Sequence, residues 1–272
     1  DCTLQDLIPK CSFSLLRNPS LRHFLTRCLA LLAWTQSESV FKTILMVKQT
    51  LFILLTNGNM SYIGIKGAER LDKSNSSLCL LEAHAKAVHM LGNGADMHSI
   101  KLITGWETGV DGKWRYEVAD PFHTTTEIED HIKKHFGEPI NIRHCMNDIA
   151  LLTAYPAFER LRLFALYSPT RGFAGYFDPG SYGMLVCMGT ASSEFEYQTE
   201  GVLLHEVQHL IQEEEDFARG GSSKDRRYHR LAGEVEARNI CIRHFLTPEQ
   251  RRQKLYSDTQ DVPDNRQFVL FQ

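Results

Sequence analysis

The segment His205-Glu206-Val207-Gln208-His209 sets two imidazoles four residues apart with a carboxylate beside the first. On a helix, positions i and i+4 share a face about one turn apart, so both rings can reach one ion. Zinc held there lowers the pKa of a coordinated water to about 7, and a neighbouring carboxylate can take that proton and deliver it to a leaving amine. His205 and His209 therefore read as ligands, Zn2+ as the cofactor and Glu206 as the base of a hydrolytic site. The motif alone is weak, because a chain with 12 histidines offers many chance pairings. A catalytic zinc also needs a third protein ligand and an open position.

Glu234 supplies that ligand from Ala232-Gly233-Glu234-Val235-Glu236-Ala237-Arg238-Asn239, on the next expected helix. The small residues Ala232, Gly233 and Ala237 let such a helix approach the first closely. Two rivals stand beside it. Glu236 points away from the face Glu234 uses, and Glu213 continues the His209 face but makes a poor same-helix third ligand. Tyr228 and His229, in the loop between the helices, are candidates for stabilising an oxyanion. Arg238, i+4 from Glu234, is a candidate for orienting that carboxylate. Their structural alternatives are a loop anchor for Tyr228 and a helix salt bridge for Arg238. Gln208 reads as packing. The acidic end Glu213 to Asp216 sits where a helix dipole disfavours it, and Arg219 is the nearest cation to offset it.

Elements that would position these residues follow from periodicity and turn signals. Residues 1–59 read as two apolar helices ended by Asn57-Gly58-Asn59, with a membrane-surface or partner helix as the alternative. A strand is expected from Met60 and a helix over Leu78 to Leu91 with Gly92 as its left-handed cap. A further helix runs from Asp96 to Gly105, then a Trp106–Val118 hairpin turning at Val110-Asp111-Gly112-Lys113. Helices over Thr124 to Phe136 (Thr124 and Glu127 as a capping box) and Asn147 to Tyr155 come next. Strands follow at Leu161 to Tyr167, Phe173 to Phe177 and Met184 to Met188. The motif helix spans about Tyr197 to Asp216 and the third-ligand helix about Arg230 to Phe245. Thr247-Pro248-Glu249 starts another helix, and Gln267 to Phe271 reads as a last strand. His84 and His89, five apart, and His131 and His135, four apart without an acid partner, read as ordinary surface or core residues.

Composition narrows the classes. With 43% hydrophobic and 23% charged residues, the 272-residue chain is an ordinary folded one. A net charge of -3 leaves no basic surplus for a phosphate backbone, so nucleic acid is not an expected partner. Seven cysteines without a C-x-x-C pair fit a reducing compartment. No apolar run reaches the ~18 residues of a membrane span. The chain starts at Asp1, so a processed chain is expected.

Several ordered motifs resemble a metallopeptidase-like domain of large polyvalent proteins from phages and mobile elements. They are Ile65-Lys66-Gly67-Ala68, Ile100 to Glu107, Gly112 to Glu117, Gly175-Tyr176-Phe177-Asp178-Pro179, Leu203 to Gln212, Phe217-Ala218-Arg219-Gly220-Gly221, Ala232 to Asn239 and Asp261-Val262-Pro263. The resemblance covers about residues 62–272. It implies an α+β fold with a zincin-like metallopeptidase core (a mixed sheet, the H-E-x-x-H helix and a third-ligand helix) and an N-terminal helical segment. The organisation it implies is a 1–59 segment outside the resemblance, a 60–140 α+β accessory region and a 141–272 catalytic core. Its E-x-x-A pattern at Glu234 favours Glu234 over Glu236, with His205 and His209 as co-ligands and Glu206 as base. It also implies a peptide or protein substrate, laid by strand addition along an edge strand. Gly183 to Met188 is the candidate for that edge, with Phe173 to Phe177 as the alternative. Cytoplasmic action, in a recipient cell that mobile DNA enters, is the implied setting. An inactive zinc-binding scaffold is the alternative function.

Overall fold

A computed structural model describes residues 60–75, 78–119, 125–135, 138–145, 150–167, 175–188, 194 and 197–271. The expected helices within 1–59 and the capping residue Thr124 lie outside the described residues. All described residues belong to one compact unit, so segments 60–140 and 141–272 share it.

The chain runs β1 (Met60–Ile63), α1 (Ile65–Ser74), α2 (Leu80–Gly92), α3 (Met97–Thr104), β2 (Trp106–Thr108), β3 (Trp114–Ala119), α4 (Thr125–Lys134) and β4 (Ile140–Asn141). It continues through α5 (Ala150–Ala154), β5 (Arg162–Tyr167), β6 (Gly175–Asp178), β7 (Gly183–Met188), α6 (Thr199–Glu215), α7 (Ala232–His244) and α8 (Pro248–Gln253). The fold is mixed α+β with two small sheets. One is antiparallel in the order β1-β3-β2, and the other has the order β4-β5-β7-β6 with β5 and β7 parallel.

Local chemistry explains most boundaries. Asp96 caps α3 by accepting from the Ser99 N–H at 2.9 Å, and Gly105 ends it at φ +79°. Thr247 and Gln250 form a reciprocal capping box at α8. The hairpin forms as expected, with Trp106 paired to Tyr116. His84 packs edge-on between Trp106 and Trp114, at 4.9 and 5.3 Å, so it is a half-buried packing histidine whose pKa burial pushes down.

Three expectations are corrected. Gly92 does not carry the left-handed turn after α2: the helix includes it, Asn93 caps it and Gly94 takes φ +80°. The expected last strand is a single bridge, Leu231 to Phe268. Helix α1 was not expected, because no residue beside it caps it. Its first N–H groups instead donate to Glu215 at the end of α6, Lys66 to Oε2 at 3.1 Å and Gly67 to Oε1 at 2.7 Å. Tyr155 donates to the same carboxylate at 2.7 Å. The acidic end of α6 is thus used: Glu215 caps another helix, Glu214 accepts from Tyr182 and Asp216 pairs with Lys66.

Helix α6 runs through the main core. Leu203, Leu204, Val207, Leu210 and Ile211 are fully buried there with Tyr62, Ile63 and Ile240. At about 1.5–3 kcal/mol per buried aliphatic side chain, that stripe fixes the helix and the angle at which its opposite face presents His205 and His209.

Candidate metal centre

Three side chains from two helices converge. His205 and His209 lie on α6, and Glu234 lies in the first turn of α7. Their ligand atoms all fall within 4.8 Å of one another, and no other such group exists among the described residues. His209 Nε2 is 3.1 Å from His205 Nε2 and 3.5 Å from Glu234 Oε1, while His205 Nε2 is 3.3 Å from Glu234 Oε2. Zinc–ligand distances of about 2.0–2.2 Å in a tetrahedron put ligand atoms about 3.3–3.5 Å apart, so the three edges fit that ion. Glu234 Oε2 is also buried without a hydrogen-bond donor. A lone pair left bare at the meeting point of two imidazoles fits a cation.

Close packing makes the convergence possible. A Cβ on Gly233 would stand 2.2 Å from the Gly220 nitrogen and 2.7 Å from the Ala218 carbonyl oxygen. One on Gly220 would stand 2.3 Å from Glu234 Oε1 and 2.6 Å from His209 Cε1. Glycine at both positions lets the Phe217–Gly221 backbone slide between the helices, where the Gly221 N–H donates to Glu234 Oε1 at 2.9 Å.

Burial and charge pull these groups apart in acidity. Burial alone would raise the Glu234 pKa, but His209 and His205 hold it far below the usual carboxylate range. Burial opposes charge on His209, yet Glu234 raises its pKa to about 9. Glu206 is buried, and that burial raises its pKa against the two imidazoles and a hydrogen bond from the Phe177 N–H.

Strand β6 passes over Glu206. A Cβ at Gly175 would meet Glu206 Oε1 at 2.8 Å and Val202 Cγ1 at 2.6 Å. The strand order corrects one expectation: Gly183 to Met188 is β7, hydrogen-bonded on both sides, and cannot take an added strand. The alternative, around Phe177, is an edge of the sheet and lies beside the site.

Other candidates separate. Tyr228 lies near the site: burial first, then the charge of Glu234, raises its pKa. His229 is exposed and rests edge-on against Tyr228 at 5.4 Å. Arg238 does not orient Glu234: it donates to Asp261 at 2.7 Å and to the His229 carbonyl at 2.7 Å. Glu236 is spent on Arg115, 2.6 Å away, and Glu213 accepts from Arg219 through both oxygens, at 2.9 and 3.0 Å. Sequence reasoning missed Gln212, whose Oε1 lies 2.8 Å from His209 Nδ1, and took Gln208 for packing. Their i, i+4 spacing was the signal available.

Residues 61–125 match the family model of large polyvalent protein associated domain 23. This links the chain to polyvalent proteins. The matched residues end before His205, so the match does not extend to the metal centre. No curated protein and no solved structure matches the chain. Among the described residues, no helix is long and apolar enough to cross a membrane.

Proposed function

We propose that this chain is a zinc-dependent peptidase acting on peptide or protein substrates, with a zincin-like core. The observation that carries the reading is the buried Glu234 carboxylate, its Oε2 without a donor, set against two Nε2 atoms. His205, His209 and Glu234 would hold the ion. Bound there, zinc supplies an acidified water and a polarised carbonyl. The protein's own groups do the rest. Glu206, with its pKa raised by burial, suits a carboxylate that takes a proton and releases it to the leaving amine. Tyr228, kept protonated beside Glu234, can donate to an oxyanion. The outer edge of β6, paired with no further strand among the described residues, offers backbone groups to an extended peptide, running it past Glu206. Action in the cytoplasm of a cell that receives mobile DNA is the setting this reading favours.

The test is Glu206→Gln. The variant should bind zinc as the wild type does and lose about 10²–10⁴-fold in hydrolysis of a mixed peptide library. Full activity would remove Glu206 from the mechanism. Zinc binding with no hydrolysis by the wild type would instead identify an inactive zinc-binding scaffold.

A further inference from the structure

A buried polar chain leads from the hairpin of the 61–125 segment to the metal centre. Asp111 accepts from the Ala218 N–H at 2.8 Å and binds Arg115 through two nitrogens, at 2.6 and 2.9 Å. Arg115 passes its remaining Nε–H to Glu236 Oε2 at 2.6 Å. Glu236 Oε1 then accepts from two amides, Gln208 at 2.8 Å and Gln212 at 3.1 Å. Gln208 is locked by the β1 backbone, accepting from the Tyr62 N–H at 3.1 Å and donating to the Tyr62 carbonyl at 3.2 Å. Arg115, Glu236, Gln208 and Gln212 are each at most 2% exposed.

The chain has a directional consequence. Gln212 Nε2 faces two groups that only accept, the Gly233 carbonyl at 2.9 Å and Glu236 Oε1. That fixes the amide, because the flipped form would set its oxygen against both. Its Oε1 must therefore face His209 Nδ1, 2.8 Å away, and accept from it. In the neutral ring that a metal requires, a proton held on Nδ1 leaves Nε2 as the nitrogen with the lone pair, and Nε2 is the atom that faces His205 and Glu234.

We infer that Gln212 and Glu236 are positioning residues for His209, and that Arg115 carries the 61–125 segment into the assembly of the metal centre. The inference rests on the zinc reading above. It assigns the segment a part in the site itself, through one charged pair and two amides.

The experiment follows zinc affinity, by competition with a chromophoric chelator, in the full chain and in Gln212→Ala, Gln212→Glu and Glu236→Gln. Proton NMR of the metal-free forms follows the His209 Nδ1–H in parallel. The wild type should show that proton protected from exchange. Gln212→Ala should lose the protection and bind zinc about 10–100-fold more weakly. Gln212→Glu, which keeps an oxygen toward Nδ1 but sets its other oxygen against the Gly233 carbonyl and Glu236, should recover both only in part, and Glu236→Gln should fall between the wild type and Gln212→Ala. Gln212→Ala binding zinc as tightly as the wild type, or a wild-type Nδ1–H that exchanges freely, would overturn the inference alone. A wild type that binds no zinc would overturn the metal reading with it, whatever the Nδ1–H does.

Discussion

Two histidine pairs in this chain share a spacing and a separation. His205–His209 and His131–His135 are both i, i+4, and in each the ring centroids lie 4.8 Å apart. A third ring, His144, stacks on His131 at 4.9 Å, so the second group holds more imidazole than the first. Yet it reads as a surface cluster: His135 and His144 are exposed, and the three do not bring ligand atoms together within 4.8 Å. In the first group the histidine side chains are only 18% and 16% exposed, and a carboxylate 3% exposed stands between them. Ring separation follows from the helix and costs nothing to build. A buried carboxylate costs several kcal/mol unless positive charge is beside it. The difference between the pairs is therefore Glu234, and what holds it.

The largest effect should come from removing that difference. Glu234→Ala should weaken zinc binding on the order of a thousand-fold, since three ligands become two. Removing the ion should matter in the same direction: a chelator should lower the melting temperature of the wild type and leave that of Glu234→Ala unchanged. Calorimetric titration and a thermal scan read both, and equal affinity in the two proteins would erase the distinction between the histidine pairs.

Glu234 was legible in the sequence because its evidence is local: a carboxylate on the helix after the H-E-x-x-H helix, flanked by Ala232, Gly233 and Ala237. The hairpin and α3 were legible for the same reason, through Gly112, Asp96 and Gly105. What was not legible depends on partners far along the chain. Helix α1 has Gly64 at its start with no side-chain cap, and its cap is Glu215. Strand order is likewise invisible to periodicity, so β7 passed for an edge until β5 and β6 were seen on either side. Arg238 sits at the right helical spacing to reach Glu234, but Asp261 offers a carboxylate from the loop below. Gln212 needed Glu236, and Glu236 needed Arg115, before its direction meant anything.

Glycine substitutions should sharpen the comparison next. A Cβ at Gly233 meets backbone that cannot rotate away, so Gly233→Ala should cost about 1–3 kcal/mol or more in denaturant unfolding and weaken zinc binding as well. Gly92, at the end of α2, has nothing within 4 Å, and Gly92→Ala should be stabilising by about 0.5 kcal/mol with zinc affinity untouched. Equal effects would mean that the approach of α7 to α6 is not what builds the site.

Acid should work on the network that carries His209. Burial would raise the Asp111 pKa, but Arg115 and backbone donors pull it below its ordinary value. A carboxylate whose folded pKa is depressed adds stability above its unfolded pKa, near 4, and loses it as pH falls through the folded value. The urea midpoint should therefore decline below about pH 4, and Asp111→Asn should flatten that decline while lowering the midpoint at neutral pH. A slope unchanged by the substitution would place the acid sensitivity elsewhere.

The smallest effect belongs to the other histidine group. The ring pairs His131–His135 and His131–His144 are worth about 0.5–1.5 kcal/mol each at most, and less where solvent reaches them. Replacing all three by Ala should lower the melting temperature by a few degrees at most and leave the tight zinc stoichiometry at its wild-type value. If the stoichiometry falls by one ion, a buried carboxylate is not required, and helical histidine spacing is enough to make a metal site in this fold.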